Sequence, residues 1–270
     1  MRSSEWIVAA VSLLLVVLSL IRPLGFARRS RILLLGGAVV AAIAAVRFGF
    51  SERVSPILRD WLPVVLLLVS YWQAGQFFES RNRRIEDWLR ESDRRFYGFL
   101  ARHGIEMPAH GWITILEFFY LMCYPLVPLG LAVLYLSHQR AAANFYWNVV
   151  VLATSFCFLA TVFVPAMPPR FFEARSATKA RAGGVRRLNM AILNRASIHA
   201  ITFPSAHVAS VVSSALVLLR IAPLAGSFFA ILALGVALGA FFGRYHYLWD
   251  VILGAIVALT VFICWIIFGS

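Results

Sequence analysis

Residues 243–268 read GRYHYLWDVILGAIVALTVFICWIIF, and from Tyr247 to Phe268 the only charged side chain is Asp250. As a helix, that stretch rises about 33 Å, enough to cross a hydrocarbon core about 30 Å thick. Working back toward the amino terminus, comparable apolar runs recur at approximately Pro223–Phe242, Ser205–Leu219, Ala141–Val164, Trp112–Leu136, Trp61–Phe78, Ile32–Val46 and Trp6–Ile21. The 270-residue chain is 61% hydrophobic, its mean hydropathy is +0.81, and 14% of its residues are charged. A soluble domain carries about a quarter charged residues. The expected fold is therefore all-α, a polytopic membrane protein with about eight transmembrane helices.

The first two runs lack intramembrane polar groups and read as an amino-terminal pair within residues 1–57, added to a six-helix core over residues 58–270. Met1-Arg2 before an apolar run has the outline of a signal peptide. Ile21-Arg22-Pro23 is not a small-residue cleavage site, however, so the run is expected to be a retained helix. Cys123, Cys157 and Cys264 lie inside apolar runs without metal-ligand spacing and read as packing residues.

Two connections are long. Residues 79–111 place Ile85, Trp88, Leu89, Phe96 and Leu100 at near-helical spacing among charges, the pattern of an amphipathic helix in the interface. Residues 165–204 form a basic connection whose stretch Arg175–Arg195 reads chiefly as a topology signal. Net charge is +13, from 25 Lys+Arg against 12 Asp+Glu. Because these bases lie between apolar runs, anionic lipid headgroups are the expected partners and nucleic acid is not. Loops after the odd-numbered spans hold 19 of the 25 bases. The positive-inside rule then places those loops in the cytoplasm, with a bacterial inner membrane as the expected location.

Three short stretches on that face gather polar residues. Pro165-Ala166-Met167-Pro168-Pro169-Arg170 ends the fifth span, because prolines lack an amide donor and clash with the preceding turn. Arg170 is left at the boundary, where an arginine alone also reads as a snorkelling side chain. Phe203-Pro204-Ser205-Ala206-His207 opens the sixth span; its free amides and dipole favour an anion, with His207 one turn in. His246 and Asp250 lie four apart at the mouth of the eighth span, close enough to touch on one helix face. A carboxylate that fixes one imidazole nitrogen leaves the other free to attack. Together the stretches suit displacement at phosphorus: His246 as nucleophile, Asp250 as its partner and His207 as acid and base. Arg170, Ser205 and Arg244 are the expected phosphate ligands, and no cofactor or metal is called for.

These residues resemble the type-2 phosphatidic acid phosphatase superfamily, whose motifs are a Lys/Arg-Pro motif, Pro-Ser-Gly-His, and an Arg-containing motif ending His-x-x-x-Asp. Pro204-Ser205-Ala206-His207 corresponds to the second and Arg244 through Asp250 to the third. Ala206 replaces the usual Gly, Arg244 lies two rather than six residues before the histidine, and Pro168-Pro169-Arg170 takes the place of the first motif. The Arg-Tyr-His-Tyr-x-x-Asp-Val form, with the aromatic segment Glu117–Pro125, is similar to the inositol phosphorylceramide synthase branch. The resemblance implies a six-helix core and a phosphohistidine intermediate. It gives two outcomes, hydrolysis of a lipid phosphate or polyprenyl (pyro)phosphate, and transfer of a phosphorylated headgroup to a lipid alcohol; hydrolysis is the leading expectation. A transporter is the alternative of another class, with Gln73, Gln76, Glu117 and Asn148 as its candidate intramembrane polar positions. No spacing supports a role for Lys179, and His103, His110, His138 and His199 carry no motif.

Overall fold

Proline and glycine punctuate this chain into helices more often than charge does. The computed structural model describes residues 2–105, 110–172, 183–198 and 200–269, so Lys179, His199 and most of the basic stretch before Gly183 lie outside the described residues, as does the side chain of His110. Among the described residues there are eleven α-helices and no strand. They are α1 (Ser3–Ile21), α2 (Phe26–Phe48), α3 (Ser55–Gly75), α4 (Arg83–Arg102), α5 (His110–Leu121), α6 (Leu126–Leu136), α7 (Ala143–Phe163), α8 (Gly184–Ala196), α9 (Ala206–Ile221), α10 (Pro223–Phe242) and α11 (Leu248–Phe268).

Five helices, α1, α2, α7, α10 and α11, are long and apolar enough to cross a membrane among the described residues. The bent pair α5 and α6 is apolar enough when taken together, as a broken span or a re-entrant loop. The run Trp112–Leu136, expected as one span, bends by 64° where Cys123-Tyr124-Pro125 interrupts it. Pro125 cannot donate to the helix ladder, and the chain turns there before α6 starts. Two further expected spans are helices of the same bundle: α9 has only 16 residues, and α3 carries Arg59 and Asp60 in its first two turns.

The bundle is built around α7, which is the most buried of the long apolar helices and packs against α1, α3, α9 and α11. The amino-terminal pair packs on α3, and α1 also on α7. Gln73 stitches these helices together, accepting from Ser12 Oγ at 2.9 Å and donating to the Ile32 carbonyl at 3.1 Å. Asn148 donates to Ser3 Oγ at 2.9 Å, and Gln76 to the Trp72 carbonyl. Gln73 and Asn148 are buried and donate to the protein's own groups, although Asn148 Oδ1 has no partner among the described residues, and Gln76 is half-buried.

Polar clusters mark the two ends of the bundle. At one, Asp60 pairs with Arg2 and accepts from Arg140 Nε at 2.7 Å and the Tyr135 hydroxyl at 2.5 Å, while Arg59 is bidentate on Glu5. At the other, Arg28 reaches the carbonyls of Gln76 and Phe78, and the Asn82 amide donates to the Pro165 carbonyl at 2.7 Å. Ile201 donates to the Ala166 carbonyl there, and Leu248 to Asp93. The loops after α1, α3, α7 and α10 therefore meet at one end.

The basic connection contains α8, an element the sequence pattern did not mark. The amphipathic segment forms the expected helix, α4, with the Asn82 side chain capping it through the Ile85 amide. It lies over the polar end of the bundle: Trp88 stacks on Trp249, and Tyr97 stacks on Phe241 with ring centroids 5.2 Å apart.

Candidate active site

The three motifs converge because each sits where a helix ends or begins at the same end of the bundle. After α7 the prolines break the helix, and the chain makes a short 3-10 turn, Pro169–Phe172. This turn is fixed to the third motif by the Arg170 amide, which donates to the Arg244 carbonyl at 3.1 Å. The Arg170 guanidinium lies 5.9 Å from the centre of the Tyr245 ring and has no carboxylate partner among the described residues.

Ser205 caps α9: its Oγ accepts from the Val208 amide at 3.4 Å, and Thr202 Oγ1 accepts from the Ala206 amide at 3.0 Å. Two amides expected to face an anion are thus already occupied. His207, in the first turn of α9, presents its imidazole to that of His246, with ring centroids 5.9 Å apart and planes at 81°.

His246 lies two residues ahead of α11 rather than on it, yet the expected pairing forms. With a proton on Nδ1, His246 donates to Asp250 Oδ2 at 3.2 Å, which leaves Nε2 its lone pair. The Tyr247 amide donates to the same carboxylate oxygen at 3.1 Å, so the carboxylate is held by the helix start it belongs to. Burial, and then the nearby Arg170 cation, pull the His246 imidazole down to about 3. The ring is therefore neutral at physiological pH, the form a nucleophile requires.

Both histidines, Arg170, Tyr71, Tyr120, Thr202 and Tyr245 line a small cavity of about 20 Å³. It shares Tyr71, Leu193, Ser197, Thr202 and His207 with an apolar cavity of about 320 Å³ that runs between α3, α6, α7 and α8 past Leu67, Cys123, Val127 and Phe158.

Of the six residues singled out from sequence, the structure brings His246, Asp250, His207, Arg170 and Ser205 together. Arg244 is the sixth, and its side chain goes elsewhere. Its Nη1 donates to Asp93 Oδ2 at 2.9 Å, its guanidinium lies 5.4 Å from the Tyr97 ring centre, and it borders a polar cleft of about 710 Å³ outside the histidine cavity. Arg244 also has φ +63°, a left-handed conformation that is uncommon for non-glycine residues.

The sequence marked the aromatic segment Glu117–Pro125 but did not place it against the histidines, nor Tyr245 beside it. Tyr120 and Tyr245 stack in parallel with centroids 3.8 Å apart, and Tyr120 and Tyr124 meet His207 edge-on at 6.0 and 5.6 Å. Sequence reasoning missed Gly254, where a Cβ would sit 2.6 Å from the Ser205 carbonyl oxygen. Glu117, a transporter candidate by sequence, is a buried partner of Arg186, Asn189 and Tyr245. Among the described residues no group of three His, Cys, Asp or Glu side chains converges as a metal site.

No curated protein and no solved structure matches the chain. The family model of the PAP2 superfamily does match, over residues 87–264, from α4 through most of α11. That span holds all three motifs and about two thirds of the sequence, and with this geometry beside it the chain belongs to the PAP2 superfamily, helical membrane proteins of phosphoesterase and phosphotransferase chemistry.

Proposed function

We propose that the chain hydrolyses a lipid phosphate through a phosphohistidine on His246. The observation that carries this reading is the junction of two cavities at His207. One holds two histidines and a guanidinium that has no carboxylate partner among the described residues; the other is an apolar cavity beside it. A phosphate ester with a hydrocarbon tail matches both, because apolar surface recognises the chain and the cation recognises the charge.

In the first half-reaction His246 Nε2 attacks phosphorus, a P–N bond forms, and the P–O bond to the lipid breaks. Arg170 balances the charge on the equatorial oxygens. His207, carrying a proton at that moment, gives it to the departing alkoxide, so the lipid leaves as an alcohol. In the second half-reaction His207 takes a proton from water, whose oxygen attacks phosphorus as the P–N bond breaks. Inorganic phosphate departs and His246 regains its lone pair. Asp250 holds the imidazole in the tautomer both steps need. With Arg170 carrying the electrostatic load, the reaction requires no metal.

Water is the acceptor in this reading, and the acceptor arms of the test below separate it from an alcohol. In this reading the positive-inside rule, applied to the bases of the sequence, favours the cytoplasmic face of a bacterial inner membrane for the site.

The test is phosphate release in detergent with EDTA present, from phosphatidic acid, phosphatidylglycerol phosphate and polyprenyl pyrophosphate, with and without inositol or diacylglycerol as acceptor. Release that vanishes in His246→Ala and ignores the acceptor is expected. Full turnover by a folded His246→Ala protein would overturn the mechanism, and product formed only with an acceptor would make the chain a transferase.

A further inference from the structure

The loop that delivers His246 is short and non-helical, and α8 and α5 grip it at one point each. Arg186 Nη1 donates to the Gly243 carbonyl at 2.9 Å and to Glu117 Oε1 at 2.6 Å. Glu117 Oε2 in turn accepts from the Tyr245 hydroxyl at 2.5 Å and from Asn189 Nδ2 at 2.9 Å. Glu117 and Arg186 are 2% and 4% exposed, respectively, so this is a buried ion pair, hydrogen-bonded further to Tyr245, Asn189 and the Gly243 carbonyl. Such pairs are weak sources of stability, since desolvation offsets the attraction, whereas they fix geometry well.

The position of the cluster gives that geometry a use. Tyr245 precedes His246 in the chain, and its ring stacks in parallel on Tyr120, which meets His207 edge-on. Arg170 lies over the same Tyr245 ring. A shift of Tyr245 therefore moves the nucleophile, the wall behind His207 and the surface under Arg170 together. We infer that Glu117 is a positioning residue for His246: it acts through Tyr245 and, with Arg186 and Asn189, ties α5 and α8 to the catalytic loop. This rests on His246 being the nucleophile. Glu117 touches no reacting atom, so its effect is on how often the loop is correctly placed.

The experiment uses the full chain in detergent and compares wild type, Glu117→Gln, Tyr245→Phe and Gln73→Leu. Tyr245→Phe removes one hydroxyl and keeps the ring stack, which covers the case in which Glu117→Gln fails to fold. Gln73→Leu cuts a buried hydrogen-bond cluster between α1, α2 and α3 that lines neither cavity, and reports simple destabilisation. Two quantities are read: kcat and KM for a long-chain lipid phosphate, and the rate at which diethyl pyrocarbonate labels His246 relative to His207, by peptide mass spectrometry.

Tyr245→Phe and Glu117→Gln should lower kcat by about ten- to hundredfold with KM changed by no more than about twofold, and His246 should label faster. Gln73→Leu should lower the melting temperature without either effect. Wild-type kcat and wild-type labelling in folded Tyr245→Phe would overturn the inference, as would changes in both that merely track melting temperature. If wild type released no phosphate from any lipid, the reaction assigned above would fall, and the labelling ratio alone would decide whether Glu117 positions His246.

Discussion

The amide of Ser205 donates to the main-chain carbonyl of Asp250 at 2.9 Å, so the second and third motifs are joined through backbone. The first turns of α9 and α11 are thereby locked side by side. Gly254, one turn beyond Asp250, makes the approach possible, because a Cβ there would fall 2.6 Å from the Ser205 carbonyl oxygen. Backbone cannot give way as a flexible side chain can. Gly254→Ala should therefore push the two helices apart, lowering stability by about 1–3 kcal/mol and turnover by at least about tenfold. Gly98→Ala, at an α4 position where a Cβ meets nothing within 4 Å, should change neither. Melting temperature and kcat measured side by side check both outcomes.

Arg170 and Arg244 divide the arginine chemistry between two neighbours whose main chains are hydrogen-bonded. Arg170 lines the histidine cavity with no carboxylate partner among the described residues, whereas Arg244 is paired with Asp93. Arg170→Lys should cost about a hundredfold in kcat/KM, because a planar fork is replaced by a point charge at the phosphoryl oxygens. Arg244→Lys keeps an ion pair with Asp93 and should cost less than about tenfold. Inorganic phosphate should lose its inhibition in the first variant and keep it in the second. Equal losses would mean that Arg244 leaves Asp93 to bind substrate.

The parts of the site that were legible are those coded by neighbours in sequence. A Pro-Ser pair ahead of an apolar run announces a capped helix start, and Ser205 caps α9. Four-residue spacing brings His246 to Asp250 even though the helix begins between them. Partners distant in sequence were not legible. Nothing local to Glu117 says that Arg186 will meet it, and the amphipathic pattern of α4 says only that one face is apolar. That Asp93 on its polar face would hold Leu248 and Arg244 is a fact of tertiary packing. The bend between α5 and α6 had a local signal in Pro125, but hydropathy carried straight through it.

Asp93 gives the site a dependence on pH. Burial is the largest influence and raises its carboxyl from the usual value of 3.8 to about 6, while the Leu248 amide and Arg244 act the other way and the Asp250 carboxylate adds to the rise. The folded value lies above the unfolded one, so between about pH 4 and 6 the native state holds a proton that the unfolded chain has released. The stability this contributes is fully present below the lower value and is lost as pH rises through 6. The clamp behaves oppositely, since only the ionised form pairs with Arg244. Wild-type kcat should accordingly rise across pH 5 to 7 with a step near 6, as melting temperature falls. Asp93→Asn should abolish the step, lower kcat at pH 7 and leave the protein at least as stable there. A step of unchanged size in that variant would assign the titration to another group.

The apolar cavity makes a separate prediction about tails. Leu68 is half exposed at its rim and Val127 buried in its wall, so the first can be enlarged with little strain and the second fills the interior. Leu68→Trp and Val127→Phe should raise KM for a long-chain lipid phosphate by about tenfold, since the tail loses apolar area worth about 25 cal/mol per Å². A short, water-soluble phosphate monoester has no tail to displace, and its kcat/KM should stay within about twofold of wild type. Val127→Phe also carries an overpacking cost of about 1–3 kcal/mol, so its melting temperature must be followed, whereas Leu68→Trp provides the comparison free of that cost. If both variants lowered kcat/KM equally for long and short substrates, the cavity would be serving the packing of α3, α6 and α7 and not the lipid. A loss confined to the long-chain substrate would identify it as the path of the tail to His207.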